Sequence, residues 1–398
     1  TTLFRSRRNV QMGKIVSLQE AINLIWETVE IEQEMEERCP YLFIVGAGIS
    51  APEILTANDI IDQCKKKVEQ LYQGDGEKLQ RICDVAERLG ENSAKYYSYW
   101  FEQAYKNRIH RQQYLKNIMN DSKISKSNLL LAQILNTKTI ATTVITPNFD
   151  NHLLKSLNLL GNYDVFSADN MLDNIVLNEN SKTVQIMHVH GMYEFYDCCN
   201  LESGDAKIVQ EKGLKTTAGT IKGLLKTKSP IVIGYSGWED DVIMSRLRER
   251  LEYAALPYKM LWFCYSGKDY EKLPEWLKEN KEVVFVLPEK KMDMRSKIEN
   301  REDKAEDTVL SAEDVLSAFI ARFGFKSPNL FSNPIQYYID LIDKYLSEKI
   351  EIFSINSWKC LLDYIEEHLG DINEQNQELE KQIRDLNKRT LQEKEIVK

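Results

Sequence analysis

Short continuous apolar runs along the chain predict buried β-strands. Six of them stand out, at residues 41–45, 144–146, 184–189, 231–233, 260–265 and 283–287. Continuous hydrophobicity, as opposed to strict alternation, is typical of strands covered on both faces of a parallel sheet. Helical or irregular stretches separate the runs, so the pattern predicts an α/β fold with a doubly wound, Rossmann-like parallel sheet.

Apolar residues three and four positions apart predict helices around these strands. The spacing holds over residues 17–34. It recurs over residues 59–135, a charged and tyrosine-rich stretch that we interpret as an inserted helical subdomain. We therefore assign residues 15–290 to one domain that carries this insertion, and residues 1–14 to a disordered leader.

The rest of the chain predicts a C-terminal helical extension over residues 308–398. A charged run at residues 291–307 is interpreted as a linker. Residues 311–314 then have capping-box character and open an amphipathic helix that ends near Gly324. A second amphipathic helix is predicted around residues 337–345.

Apolar residues at seven-residue intervals near the end of the chain predict a short coiled coil. Ile372, Leu379 and Leu386 share one heptad position, and Asn376 occupies a complementary position at which Asn can select register and oligomeric state. A polar terminal helix without a partner explains the pattern equally well. Because residues 331–398 combine an amphipathic helix with this heptad segment, we predict a homo-oligomer.

Composition narrows the classes of protein that remain. With 398 residues, 43% of them hydrophobic, the chain can bury a large core. A formal net charge of −9 argues against a broad electrostatic surface for nucleic acid or anionic lipid. The seven cysteines include no repeated Cys-x-x-Cys pair, no signal-peptide pattern is present, and no apolar run reaches about 18 residues. We expect a cytoplasmic protein that spans no membrane.

A glycine-rich turn follows the first predicted strand. Gly46, Ala47, Gly48 and Ser50 form a loop whose glycines would let the backbone approach a pyrophosphate, and residues 50–53 have the pattern of a helix N-terminus. The same glycines satisfy the dinucleotide fingerprint, for which Glu69 could supply the acidic ribose contact. A tight strand-to-helix turn without a ligand is the alternative.

Two further strand ends carry polar side chains. Asn148 and Asp150 follow the second run, where strand ends line the ligand crevice of a doubly wound sheet, although an Asx-turn explains them as well. His190 follows the third run beside Gly191 and suits a general base near neutral pH. His188 points the same way along the strand, which permits a metal site; we favour a packed or hydrogen-bonded residue.

A fourth strand end is again marked by glycine. Gly234 and Ser236 follow the run at residues 231–233. The acidic residues at 239–241 precede a predicted helix, and acidic residues favour a helix N-terminus on electrostatic grounds. No cluster of Cys, His, Asp or Glu with metal-ligand spacing accompanies any of the four motifs, so we predict no metal site.

These four motifs, in this order, resemble those of the sirtuin family. The resemblance covers about residues 15–290 and implies a domain that binds NAD. It assigns the phosphates and the adenosine half of NAD to six residues, Gly46, Ala47, Gly48, Ser50, Gly234 and Ser236. It assigns the chemistry to Asn148, which positions water or ribose, to Asp150, which favours nicotinamide and the developing cation, and to His190, the general base.

Two departures from the deacetylating sirtuins indicate a subtype. Those enzymes carry a zinc module of paired Cys-x-x-Cys motifs, whereas only the adjacent Cys198 and Cys199 lie between Gly191 and Gly234 here. Their Pro-Asp-Phe-Arg stretch after the phosphate loop is also missing. The chain instead resembles the zinc-free sirtuin-like domains of bacterial anti-phage defence systems. Some of these hydrolyse NAD, and one kind is paired with a HerA-type ATPase.

The resemblance therefore implies an NAD glycohydrolase that gives nicotinamide and ADP-ribose, with NAD as substrate, no zinc, a homo-oligomeric state and a HerA-type ATPase as candidate partner. We expect no direct contact with nucleic acid. An NAD-dependent protein deacylase and a non-catalytic nucleotide-binding scaffold remain as alternatives. A dehydrogenase is weaker, because it leaves Asn148, Asp150 and His190 without a role.

Overall fold

The computed structural model describes most of the chain, and the descriptions below concern only that part. It covers residues 13–35, 39–91, 93–120, 122–169, 177, 181–194, 207–239, 241–289 and 308–346, with single positions or pairs at 363, 377–378, 381–382 and 385. Contacts divide the chain into two units, Thr1–Pro328 and Asn329–Lys398.

The first unit is built on an all-parallel sheet. Its described strands are Lys14–Val16 (β1), Tyr41–Val45 (β2), Thr143–Thr146 (β3), Val165–Asp169 (β4), Val184–His188 (β5), Ser229–Ile233 (β6), Met260–Phe263 (β7) and Val283–Val286 (β8). They lie in the order β1-β8-β7-β6-β2-β3-β5-β4, and all neighbours are parallel. The predicted α/β fold with a doubly wound parallel sheet is confirmed.

The six apolar runs are the six inner strands, and the two strands without such a run form the edges of the sheet. β1 has only three residues, of which Lys14 and Ile15 are exposed. In β4, Phe166 is exposed while Ala168 is buried. Edge strands pair on one side only and are less completely covered, so continuous hydrophobicity does not mark them.

Helices surround the sheet. The described helices of the first unit are Leu18–Met35 (α1), Ala57–Leu71 (α2), Gly76–Leu89 (α3), Ala94–Ala104 (α4), Arg108–Asn120 (α5), Lys126–Thr137 (α6), His152–Leu159 (α7), Lys207–Thr227 (α8), Val242–Tyr253 (α9), Gly267–Glu271 (α10), Glu275–Lys278 (α11) and Ala312–Phe323 (α12). The second unit contains Asn329–Ser332 (α13) and Pro334–Leu346 (α14). No helix among the described residues is long and apolar enough to cross a bilayer.

Two apolar layers cover the two faces of the sheet. On one face α1, α6, α7 and α12 pack on side chains such as Phe43 and Val144. On the other face α8 and α9 pack on side chains such as Leu42, Ile44 and Trp262. Burial of β2 from both sides explains why every residue of Tyr41–Val45 is apolar.

The inserted helices have a core of their own. Residues of α2, α4 and α5, including Val68, Phe101 and Leu115, pack together away from the sheet layers. Helix α6 falls within the predicted insertion at 59–135, but its Leu131 and Leu135 pack on the sheet. The core of the insertion, which is separate from the two sheet layers, therefore ends with α5.

Helix α12 lies within the predicted C-terminal extension yet completes the core of the first unit. Ser311 caps it and forms the predicted capping box with Asp314, and Gly324 ends it in the left-handed conformation. Its Phe319 is fully buried against the sheet. The predicted linker at residues 291–307 and the heptad positions Ile372, Leu379 and Leu386 lie outside the described residues, so the coiled coil stays a prediction.

We expect the substitution Phe319→Ala to lower the free energy of unfolding by about 3–5 kcal/mol, because it leaves a cavity in a closed core. Phe331→Ala, on α13 where the side chain is 46% exposed, is the matched control and should cost far less. Urea denaturation followed by circular dichroism measures both. Equal losses for the two variants would contradict the assignment of α12 to the core.

Candidate functional site

The four polar motifs converge on one edge of the sheet. Strands β6, β2, β3 and β5 are consecutive neighbours, and because they are parallel, their carboxyl ends share an edge. The chain moves outward from β2 through β3 in one direction and from β6 through β7 and β8 in the other. The strand order thus reverses between β2 and β6, and such switch points form the ligand crevice of doubly wound sheets.

The loops after β2 and β6 touch through their backbones. The N–H of Gly46 donates to the carbonyl of Ile233 at 3.1 Å, and that of Gly48 donates to Gly234 at 3.0 Å. A Cβ at position 46 would lie 2.4 Å from the Gly234 carbonyl oxygen, and one at position 48 would lie 2.8 Å from the Gly234 Cα. Packing of the two loops by itself therefore requires these glycines, whether or not a phosphate approaches.

The helix predicted to start at Ser50 is absent. Ser50 instead closes a 3-10 turn at Ala47–Ile49, and the capping box lies further on, where Thr56 and Asp59 open α2. The predicted capping role of residues 50–53 is wrong because this stretch forms a turn before the helix begins. Ala47 and Gly48 remain partly exposed at the crevice.

Ser50 is buried and serves as a hydrogen-bond bridge. Its hydroxyl donates to Oδ2 of Asp150 at 3.1 Å and accepts from Nδ2 of Asn128 at 3.0 Å. Ser125, the N-cap of α6, donates to the carbonyl of Ile49 at 2.6 Å. The side chain of Ser50 thus positions Asp150, a role that the sequence did not reveal.

Asn148 links three strand ends. Its Nδ2 donates to the carbonyl of Gly46 at 3.0 Å, and its own backbone carbonyl accepts a hydrogen bond from Nδ1 of His188 at 3.0 Å. His188 is buried at the end of β5, as the packed, hydrogen-bonded interpretation predicts. The Oδ1 of Asn148 belongs to a half-buried side chain at the crevice and is not used in these bonds.

His190 pairs with a buried carboxylate that follows β6. Its Nε2 lies 3.2 Å from Oδ1 of Asp241, and the two side chains are 22% and 5% exposed. Tyr235 donates to Oδ2 of Asp241 at 2.5 Å, and the amide of Ile243 donates to Oδ1 at 3.2 Å. Burial alone would raise the pKa of the Asp241 carboxyl, but His190 and these hydrogen bonds hold it below its usual value.

Aromatic side chains in two of the motif loops pack against the inserted helices. Phe149, beside Asn148, and Trp238, in the loop after β6, are partly buried against the core of the insertion. The rings of Tyr97 on α4 and Trp238 lie 6.3 Å apart between centroids. Ser236, two residues before Trp238, stays exposed. The insertion therefore packs directly against two of the four motifs.

A third histidine, His152, links the loop after β3 to the insertion. His152 is buried, its Nε2 lies 3.0 Å from Oγ of Ser122, and its backbone N–H donates to Oδ1 of Asp150 at 3.0 Å. Nδ1 of His152 has no hydrogen-bond partner among the described residues. Burial lowers the pKa of this imidazole, which keeps it neutral.

The sequence raised two questions about ligands: an acidic contact to a ribose, and a metal site. Glu69 is exposed near the C-terminal end of α2 and does not follow a strand, so the structure gives it no place among the strand ends that form the crevice. Within the described part of the chain, no group of three or more His, Cys, Asp or Glu side chains could hold a metal ion. Cys198 and Cys199 lie outside that part, so the absence of zinc stays a prediction.

The fold and the crevice define a doubly wound α/β protein with a polar site at its switch point. A family model of the SIR2-like domain matches residues 142–285. The matched stretch contains Asn148, Asp150, His190, Gly234 and Ser236, but not the loop after β2. It supports a sirtuin-like family and NAD-related activity. Comparison with curated proteins finds no significant match.

Gly234→Ala should destabilise the protein by at least about 2 kcal/mol, since Gly234 has φ of +63° and a Cβ would meet the Gly48 backbone at 2.9 Å. Gly219→Ala is the control: this glycine lies in α8, and among the described residues no atom outside its own stretch of helix lies within 4 Å of an added Cβ. The substitution Gly219→Ala should raise the free energy of unfolding by about 0.5–1 kcal/mol. Thermal unfolding compares the two, and a neutral Gly234→Ala would refute the tight loop contact.

The neutral, buried His152 predicts a loss of stability in acid. Its pKa is lower in the folded than in the unfolded state, so the unfolded chain binds more protons as pH falls below about 6.5. We expect the free energy of unfolding of the wild type to fall more steeply between pH 7.5 and 5.5 than that of His152→Gln, by at most about 1.4 kcal/mol per pH unit. Parallel slopes in urea titrations would exclude this contribution.

Proposed function

We propose that the protein hydrolyses NAD at the nicotinamide–ribose bond and releases nicotinamide and ADP-ribose. The observation that carries the proposal is the convergence of Asn148, Asp150 and His190 with the two glycine loops at one switch-point crevice. The SIR2-like match over residues 142–285 supports the choice of NAD as substrate.

The groups at the crevice suit a dinucleotide. Ala47 is the first residue of the 3-10 turn, so its backbone N–H has no acceptor within that turn. Ala47 and Gly48 are both partly exposed, and a free N–H at the start of a helical turn suits a phosphate oxygen. We assign the phosphates to this loop, with Ser50 acting through the position of Asp150. Gly234 and the exposed Ser236 are assigned to the adenosine half.

Cleavage builds positive charge on the anomeric carbon, as in glycoside hydrolysis. The buried carboxylate of Asp150, held by Ser50, favours that charge electrostatically and orients the nicotinamide. The electron pair of the broken C–N bond passes to the nicotinamide ring. Asn148 positions the water whose oxygen bonds the anomeric carbon, and His190 takes the proton that this water loses.

We further propose a role in anti-phage defence, in which the hydrolase depletes cellular NAD. This proposal rests on the resemblance to zinc-free sirtuin-like defence domains. The same resemblance suggests a homo-oligomer and a HerA-type ATPase partner, with residues 308–398 contributing to assembly.

We expect purified wild-type protein, alone or with the ATPase, to release nicotinamide from NAD. His190→Ala and Asn148→Ala should each lower the rate by about 10²-fold or more, because each removes a group that acts in the transition state. His110→Ala, on the exposed surface of α5, is the matched control and should retain full activity. Chromatography of nicotinamide and ADP-ribose measures turnover.

Three results would overturn the proposal. Wild-type rates in both site variants would remove these residues from the mechanism. Nicotinamide release only in the presence of an acetylated lysine peptide, with transfer of the acetyl group, would identify a deacylase instead. Binding of NAD in calorimetry without turnover under either condition would identify a scaffold.

A further inference from the structure

The contact between His190 and Asp241 joins distant parts of the fold. His190 follows β5 and Asp241 follows β6, and the sheet places β2 and β3 between them. At roughly 4.8 Å per strand, the two strand ends are about 14 Å apart. The loops nevertheless bring Nε2 and Oδ1 to 3.2 Å. Neither neighbouring sequence nor strand pairing accounts for this approach.

Asp241 is held from several sides. Its carboxylate accepts hydrogen bonds from the Tyr235 hydroxyl and the Ile243 amide, in addition to its contact with His190. Tyr235 is itself buried, with its ring 5.9 Å from that of Trp262. A buried carboxylate needs such partners to remain ionised. The acceptor that faces His190 is therefore fixed in place.

Helix capping accounts for only part of this arrangement. As the N-cap of α9, Asp241 needs one oxygen to accept from Ile243. Capping requires neither burial nor the contacts with Tyr235 and His190. For comparison, Asp75 caps α3 by accepting from Lys78 and is exposed.

We propose that Asp241 is a positioning residue for His190. Its carboxylate accepts the Nε2–H of the imidazole, selects that tautomer, and so leaves Nδ1 as the basic nitrogen. This inference rests on the proposed NAD hydrolysis. When the attacking water bonds the anomeric carbon, its proton passes to Nδ1, and the imidazolium that forms is stabilised by the unprotonated Asp241. The proton then returns to solvent.

The lowered pKa of the Asp241 carboxyl agrees with this division of roles, because the carboxylate keeps its charge while the imidazole carries the proton. The opposite role for the contact is autoinhibition, in which Asp241 would hold His190 away from the substrate. The two roles predict opposite effects of removing the charge.

The test is Asp241→Asn in the full chain. Asn is nearly isosteric and caps helices about as well as Asp, so the fold should persist. We expect kcat for nicotinamide release to fall about 10²-fold or more, with KM changed much less, since the lost interaction develops in the transition state. Asp75→Asn replaces another N-cap Asp as a control and should leave both constants unchanged.

A second readout does not depend on activity. Selective ¹⁵N labelling of the histidine rings reports the tautomer, and His190→Gln identifies the His190 signals by their loss. Wild-type protein should show the Nε2–H form at His190, and Asp241→Asn should shift its ring ¹⁵N resonances towards the other tautomer or a mixture.

Each outcome decides one question. Unchanged His190 resonances in Asp241→Asn, or unchanged kcat, would refute the positioning role, and increased kcat would establish autoinhibition. If the wild type releases no nicotinamide but the resonances shift as expected, the proposed hydrolysis fails while the tautomer assignment stands.

Discussion

The backbones that follow β2 and β6 meet at Gly46, Gly48 and Gly234 without room for a Cβ. The ladder between β2 and β6 sets the spacing of the strands, and this contact sets how closely the loops beyond them approach at the point where the strand order reverses. Asn148 is anchored to the carbonyl of Gly46, and His188 is anchored in turn to Asn148. The positions of the side chains at the crevice thus depend on a contact made entirely by main-chain atoms.

The two buried aspartates near the crevice, Asp150 and Asp241, have different partners. Asp150 is held by Ser50 and by the amide of His152, at the end of β3. Asp241 is held by Tyr235 and faces His190. Both need hydrogen-bond donors because an unpaired charge is costly to bury. In the proposed mechanism one favours the developing cation and the other supports the base, and separate donors keep the two roles apart.

The sequence predicts what repeats along the chain and misses what depends on distant partners. The run at residues 41–45 identifies a central strand because both of its faces are covered, whereas the edge strand β4 carries no such pattern. Capping of α12 by Ser311 could be predicted from four consecutive residues. The pairing of Asp241 with His190 could not, because a helix N-terminus explains an acidic residue at that position equally well.

The inserted helices add a constraint of another kind. Their aromatic core contacts Phe149 in the loop after β3 and Trp238 in the loop after β6, so it joins loops from the two sides of the switch point. His152 makes a further link to Ser122, just beyond α5. A displacement of α4 would therefore move Phe149, which is next to Asn148, and Trp238, which is two residues after Ser236. Because the sheet fixes only the strand ends, the packing of the insertion must share in setting the width of the crevice.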